Sequence, residues 1–334
     1  MPLQYERAVP NPKELFLRDP AAEIAVWHGQ EVLRLSGQGA SLALIPELCL
    51  SQGKIEVDIE AEGAAYAGIA FRALDTYNYE LAYIQPHTSG CWDALQYDPV
   101  FHGSNTWQVY YGAGAQQMAQ VPPQTWIRLK VEFKEQQALV QAGEQPPLLV
   151  SRLAHPHQSG LVGIWTYLPA HFANLRVWDD LPDWAHLNFP ALPGENTCGL
   201  LDAWFLDGFG KVNCEPGGIL NLNRYLPVTV KEVRLIRQIE MLENGSLTLD
   251  LGFSDELNLQ MDDQVIFTGQ NIFHVSPNWA ERGYVSPDHH ISLPLSRGIH
   301  TITATLKATE SFGFGILLRI TGGQYRLLPA HLVE

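Results

Sequence analysis

Apolar and polar residues alternate with period two through most of this chain. Lys54-Ile55-Glu56-Val57-Asp58-Ile59-Glu60, Trp126-Ile127-Arg128-Leu129-Lys130-Val131-Glu132-Phe133 and Ser246-Leu247-Thr248-Leu249-Asp250-Leu251 each send every second side chain to one face. Half-buried antiparallel strands have this spacing and helices do not. Such runs recur at short intervals, separated by Gly, Pro, Asn and Asp, with a hairpin signal at Glu243-Asn244-Gly245-Ser246. The one stretch that imitates a helix, Leu226 to Glu243, is rich in Val, Ile and Thr and reads as strand. The expected fold class is all-β, built from antiparallel β-sandwiches.

Two sandwiches suit the length. A chain of 334 residues, 46 % of them hydrophobic, can fill two cores. Residues 179–199 carry three prolines and two glycines and no strand pattern, so they are expected to connect the two. The organisation read from the sequence is an N-terminal arm at 1–19, a first sandwich at 20–178, the linker, and a second sandwich at 200–334.

Charge and apolar patterning narrow the partners. A net charge of −15 repels phosphate and argues against nucleic acid. No apolar run approaches the ~18 residues of a membrane span. The opening residues lack a basic end followed by an apolar block, so a cytoplasmic location is expected, with secretion the alternative had a leader been removed. Only 17 % of residues are charged, which suits a carbohydrate or another small polar ligand. Cys49, Cys91, Cys198 and Cys214 show no metal spacing and are expected as free, mostly buried thiols, with Cys198–Cys214 the one pairing to check.

Gly68-Ile-Ala-Phe-Arg72-Ala-Leu-Asp75-Thr-Tyr-Asn78-Tyr79-Glu80-Leu, with Gly160-Leu-Val-Gly163-Ile-Trp165 and His171-Phe-Ala-Asn174-Leu-Arg-Val177, resembles concanavalin A-like (laminin G-type) jelly rolls. The likeness is to bacterial ones related to the 3-keto-disaccharide hydrolase domain. The second half, through Gly252-Phe-Ser-Asp255, Asp263-Gln-Val-Ile-Phe267-Thr-Gly269 and Leu293 to Ile302, resembles galactose-binding-like accessory modules of glycoside-active proteins. Those modules usually have Asn-Gly where this chain has Asp262-Asp263. The resemblance implies fold; function resides in sites placed on it.

Three sets of residues are candidates. Glu56, Asp58 and Glu60 share one strand face in the Glu-x-Asp-x-Glu pattern of some β-sandwich glucanases. The first and last are about 13 Å apart at the backbone, with long side chains that could converge as acid and nucleophile. The competing reading is a solvated edge strand. Arg72, Glu80, Tyr83, Gln85, Asp93, Gln96 and Trp107 combine aromatic rings with hydrogen-bonding groups, as sugar sites do. Here the competing reading is a cross-strand Arg72–Glu80 ion pair with the aromatics in the core, and Glu80 is also a catalytic carboxylate candidate. Asp255, Asp262 and Asp263 could hold a structural calcium ion, the one cofactor considered. His155-Pro-His157 and His289-His290 lack partner ligands in sequence, and no nucleophile or phosphate-loop motif is present. Three roles remain open: a non-enzymatic binding protein, an enzyme acting on a glycoside or similar small molecule, and a structural or assembly protein.

Overall fold

The computed structural model describes residues 3–18, 22–36, 39–179, 184, 186–191, 199–276 and 282–330. The chain divides into two compact units, one of Met1–Gly103 with Tyr110–Ala191 and one of Ser104–Val109 with Leu192–Glu334. Much of the expected connector at 179–199 lies outside the described residues. No α-helix occurs among those described, only three-residue helical turns such as Pro12–Glu14. None is long and apolar enough to cross a membrane.

The first unit begins with strands β1 (Leu3–Arg7), β2 (Phe16–Arg18), β3 (Ala22–Trp27), β4 (Gln30–Leu35) and β5 (Ala40–Leu50). It continues with β6 (Gly53–Glu60), β7 (Tyr66–Ala73), β8 (Glu80–Ile84), β9 (Leu95–Tyr97) and β10 (Gln116–Gln117). It closes with β11 (Ile127–Lys134), β12 (Gln137–Ala142), β13 (Leu148–Val150), β14 (Gly160–Tyr167) and β15 (Ala170–Trp178). Among the described residues these make an eight-stranded sheet, β13-β12-β11-β6-β15-β4-β3 with β1 also on β15, and a seven-stranded sheet, β10-β9-β8-β7-β14-β5-β2. The expected N-terminal arm is instead part of the sandwich: β1 pairs with β15 and β2 with β5, one in each sheet.

The chain passes between sheets at β5–β6, β6–β7 and β14–β15, which winds it as a jelly roll. Two motif glycines allow the close strand approach this needs. A Cβ on Gly68 would sit 2.0 Å from the Ala82 carbonyl oxygen, and one on Gly163 would sit 2.2 Å from that of Ala43.

The main core lies between the sheets. Ile55, Val57, Ile59, Leu129, Val131 and Phe133 meet Ile69, Phe71, Ala82, Ile84, Val162 and Ile164 there. The seven-stranded sheet buries its other face as well, where Leu42, Leu44, Ala70, Leu81, Tyr83 and Trp165 pack with Tyr79 and Val100. Strands apolar on both sides read as near-continuous apolar runs, as Tyr66–Ala73 and Glu80–Ile84 do.

The second unit contains β16 (Ala203–Leu206), β17 (Gly210–Asn213), β18 (Ile219–Asn221), β19 (Glu232–Met241) and β20 (Gly245–Phe253). It ends with β21 (Asp255–Met261), β22 (Gln264–Asn271), β23 (His289–Leu295), β24 (Gly298–Lys307), β25 (Gly315–Thr321) and β26 (Tyr325–Leu327). Sheet order is β17-β16-β19-β24-β21-β22, with β26 also on β19, opposite a four-stranded β18-β25-β20-β23. Trp204, Leu235, Leu249, Phe253, Leu259 and Ile316 are central to its core.

The Asn244-Gly245 signal does not make a paired hairpin, because β19 and β20 lie in different sheets and the chain crosses between them there. Asp262 and Asp263 do form a two-residue hairpin turn, with φ of 50° and 64°. Positive φ at both positions is the geometry for which Asn-Gly is usually selected.

Candidate functional site

Arg72 and Glu80 lie in the β7–β8 hairpin and are 1 % and 0 % exposed. The β7–β14 register slips at this point, and Arg72 takes φ of 46°. A bulge of this kind re-aims a side chain. The Arg72 guanidinium lies over the Phe133 ring at 5.5 Å and donates from Nη2 to the Ser51 carbonyl at 2.8 Å. Its Nε and Nη1 are buried without a hydrogen-bond partner.

Glu80 is committed elsewhere. Its Oε2 accepts from the Tyr97 hydroxyl at 2.6 Å and its Oε1 from the His155 backbone N–H at 2.8 Å. Tyr97 in turn accepts from the Ala154 N–H at 2.7 Å. Burial pulls the Arg72 guanidinium down from its ordinary value, against the charges of Glu80 and Tyr97. Burial, and then the Glu80 charge, hold the Tyr97 phenol well above its usual range. The expected direct ion pair is therefore replaced by two separate sets of bonds. The carboxylate pins the Ala154–His155 segment, while the His157 ring donates to the Arg72 carbonyl at 2.6 Å.

Tyr83, Gln85, Asp93 and Gln96 form a different cluster, each under 5 % exposed. The Tyr83 hydroxyl donates toward Gln96 Oε1 at 2.9 Å and Asp98 Oδ2 at 3.3 Å. Gln85 and Gln96 both donate to the Asp93 carbonyl, at 2.6 and 3.2 Å. So the expected single face is split: Arg72 packs on Phe133 and Glu80 bonds to Tyr97, both inter-sheet core residues, whereas Tyr83 packs in the cluster on the opposite side. Trp107 belongs to the second unit, where its ring packs edge-on to Phe273 and Tyr284 at 5.5 and 5.4 Å.

The carboxylate triplet is on β6, which is central in its sheet rather than an edge, flanked by β11 and β15. Each carboxylate has its own partner. Glu56 pairs with Lys54 at 2.8 Å. Asp58 accepts from Arg128 Nε and Nη2 at 2.8 and 3.0 Å and from Asn174 at 2.8 Å. Glu60, its side chain 1 % exposed, contacts His28 Nε2 at 3.0 Å.

The calcium candidates do not converge. Asp255 and the Asp262-Asp263 turn stand at opposite ends of β21, roughly 20 Å apart along a seven-residue strand. Asp255 is buried and accepts from the backbone N–H of Thr309 and of Glu310, while Asp262 bonds His300 and the Thr301 N–H. Among the described residues no group of three or more His, Cys, Asp or Glu could hold a metal ion. His290 pairs with Asp250 while His289 packs on Phe253, as opposite-facing neighbours should. Contrary to expectation, Cys49 and Cys91 are exposed. Burial pushes the Cys214 thiol up to about 12, and Cys198 lies outside the described residues.

One feature lies outside the three sets of sequence candidates. An open cleft of about 470 Å³ lies against the β11–β12 hairpin, lined by Lys134, Glu135, Gln137, Trp184, Asn188 and Phe189. The Trp184 indole N–H donates to Glu132 Oε2 at 3.1 Å, and its ring lies 5.7 Å from that of Phe189. The bond fixes the orientation of a large flat ring beside two amide side chains. The available signal was two aromatic residues inside a stretch otherwise read as linker.

No protein-family model and no curated protein matches the chain. Among solved structures, it is similar to a carbohydrate-binding module from Bacillus subtilis, at 18 % identity over 44 % of this chain and 86 % of the module, TM-score 0.36. It is also similar to a Bacillus subtilis protein of unknown function with a galectin-like fold, at 10 % identity over 54 % and 97 %, TM-score 0.42. A Bacillus licheniformis β-glucanase aligns at 8 % identity over 53 % and 98 %, TM-score 0.37. Each alignment spans about half of this chain, and likeness at this level carries neither ligand nor activity to it.

Proposed function

We propose that the protein is a non-enzymatic binding protein for a neutral glycan or a comparable polyhydroxylated ligand, and that the Trp184–Phe189 cleft of the first unit receives it. One observation supports this reading above the others. The cleft is shallow and open, and it sets a hydrogen-bonded indole and a phenyl ring beside Gln137 and Asn188. A flat ring against the C–H face of a sugar, with planar amides for its hydroxyls, is a common solution to carbohydrate recognition. Lys134 and Glu135 balance each other in charge, which suits a neutral ligand.

The enzymatic alternative has less to rest on. Glu80 is sealed in the core with both oxygens bonded, and the β6 carboxylates are directed to three different partners. A glycan-array screen of the intact protein, followed by calorimetry on the best neutral oligosaccharide, tests the proposal. Trp184→Ala should weaken binding at least about tenfold, about 1.4 kcal/mol, with unchanged thermal stability. Equal affinity in a folded Trp184→Ala protein, or no neutral glycan bound by the wild type, would overturn it.

A further inference from the structure

The β3–β4 hairpin ends in a two-residue turn, His28-Gly29, with φ of 47° and 82°. Only its base is held by a neighbouring strand: Leu33, Arg34 and Leu35 pair with Phe172, His171 and Ala170 of β15. From Val32 to the tip, no strand pairing beyond the hairpin itself is present among the described residues. The register puts Arg34 beside His171, yet it is Trp27, near the tip, whose ring stacks on His171 at 4.2 Å and 15°. The tip therefore curls back over the outward face of the sheet. There His28 reaches Glu60, which is the cross-strand partner of His171. Among the described residues, the Trp27–His171 stack and the His28–Glu60 contact hold the tip down.

One of those contacts depends on a neutral ring. His171 is 2 % exposed, and its Nδ1 is buried with no hydrogen-bond partner. A proton added there would create a donor with no acceptor inside a covered site. Four charged or titratable groups face the ring. Glu62, 4.0 Å from Nε2, and Glu60 favour a charge, whereas Arg34 and His28 oppose it. Arg34 is itself tied to Glu23 on β3 at 2.9 Å. Attraction of an imidazolium to the Trp27 face is a smaller effect than burying a charge with an unmet donor.

We propose that the β3–β4 hairpin is an acid-released clasp, held over the buried Glu60 carboxylate while His171 is neutral beneath Trp27 and freed when His171 takes a proton. Burial, the largest influence, holds His171 below its ordinary value. At His171 the folded clasp therefore binds fewer protons than the open one. The stability contributed by this site is fully present above about pH 6.5, the ordinary imidazole value, and is lost as pH falls through the lowered folded-state value.

Hydrogen exchange of the intact protein, corrected for intrinsic rate, at about pH 7.5 and about pH 5.5 tests this above the usual carboxylate range. Protection of the 22–35 segment should fall about tenfold at the lower pH, relative to β11 and β12. His171→Phe keeps a ring under Trp27 and takes no proton, so it should hold its protection at both values. If that variant does not fold, the wild-type His171 ring signal, followed by NMR, should titrate together with the loss of protection. Protection of 22–35 that does not change with pH, or that falls equally in His171→Phe, would overturn the proposal, as would a His171 signal that titrates apart from the hairpin.

Discussion

Arg72 and Glu80 sit on neighbouring strands of one sheet, both sealed in the interior, and bond to different partners. Glu80 accepts from Tyr97 and His155, and Arg72 donates to Ser51. A buried guanidinium with two unbonded nitrogens contributes little net stability, since desolvation cancels much of what its one bond and its ring contact supply.

Arg72→Met keeps the length and apolar stem of the side chain without the charge, and it should change unfolding free energy by no more than about 1 kcal/mol. Glu80→Gln places an amide donor against one of two donors and should cost roughly 1–3 kcal/mol. Exchanging the two charges would leave both buried groups facing the wrong partners and should prevent folding. Denaturant titration separates these outcomes. An Arg72→Met protein less stable than Glu80→Gln would show that the guanidinium is bonded in solution.

On β6 the carboxylates Glu56 and Asp58 should differ sharply. Glu56→Ala removes a partly exposed ion pair with Lys54 and should cost less than about 1 kcal/mol. Asp58→Ala strands Arg128 and Asn174 together and should cost roughly 1–3 kcal/mol. Neither change should alter glycan affinity by calorimetry. A large loss of turnover in either variant, against any glycoside, would restore the catalytic reading of the triplet.

The alternation of β6, β11 and β20 made the all-β class legible, because one covered face leaves a period-two record in the sequence. Which face is covered is less legible. Leu81, Ala82, Tyr83 and Ile84 are all buried, so the sheet that was to present Tyr83 and Gln96 is closed on both sides. Bulges hide equally well: nothing in Phe71-Arg72-Ala73 announces the positive φ that turns Arg72 inward. The Trp184 cleft was illegible for another reason. Its residues carry no periodicity, and bonds to residues distant in sequence, from Trp184 to Glu132 and from Ser151 to the Pro190 carbonyl, fix their arrangement.

His300 gives the second unit a pH dependence of opposite sign to that of His171. Burial would lower it, but Asp262 at 2.6 Å from Nδ1 and the Ser296 carbonyl at 2.8 Å from Nε2 outweigh burial, and the imidazole is raised. Both ring nitrogens face acceptors, so only the doubly protonated ring satisfies both. The stability this adds is fully present below about pH 6.5 and is lost as pH rises through the folded-state value. Wild type should therefore exceed Asp262→Asn in stability by more at about pH 6 than at about pH 8.5. A gap that is constant across that range would mean that His300 stays neutral.

The last prediction concerns where the second unit begins. Ser104–Val109 is part of it although the remainder starts some eighty residues later. Gln108 supplies three bonds there: its N–H donates to the Phe312 carbonyl, its carbonyl accepts from the Val285 N–H, and its Nε2 donates to the Gly283 carbonyl. Trp107 fills the space among Phe273, Tyr284 and Phe312. A fragment of residues 199–334 lacks this segment and leaves the three backbone partners unmet, each costing roughly 1–3 kcal/mol if buried. Cleavage in 179–199 should accordingly fail to release an independently stable second unit. The isolated fragment should melt well below the intact chain, and adding a peptide of residues 103–110 should raise its melting temperature in proportion to the logarithm of peptide concentration once the site is saturated. A fragment that melts cooperatively at the temperature of the intact protein, with no response to the peptide, would show that Ser104–Val109 is dispensable to the second sandwich.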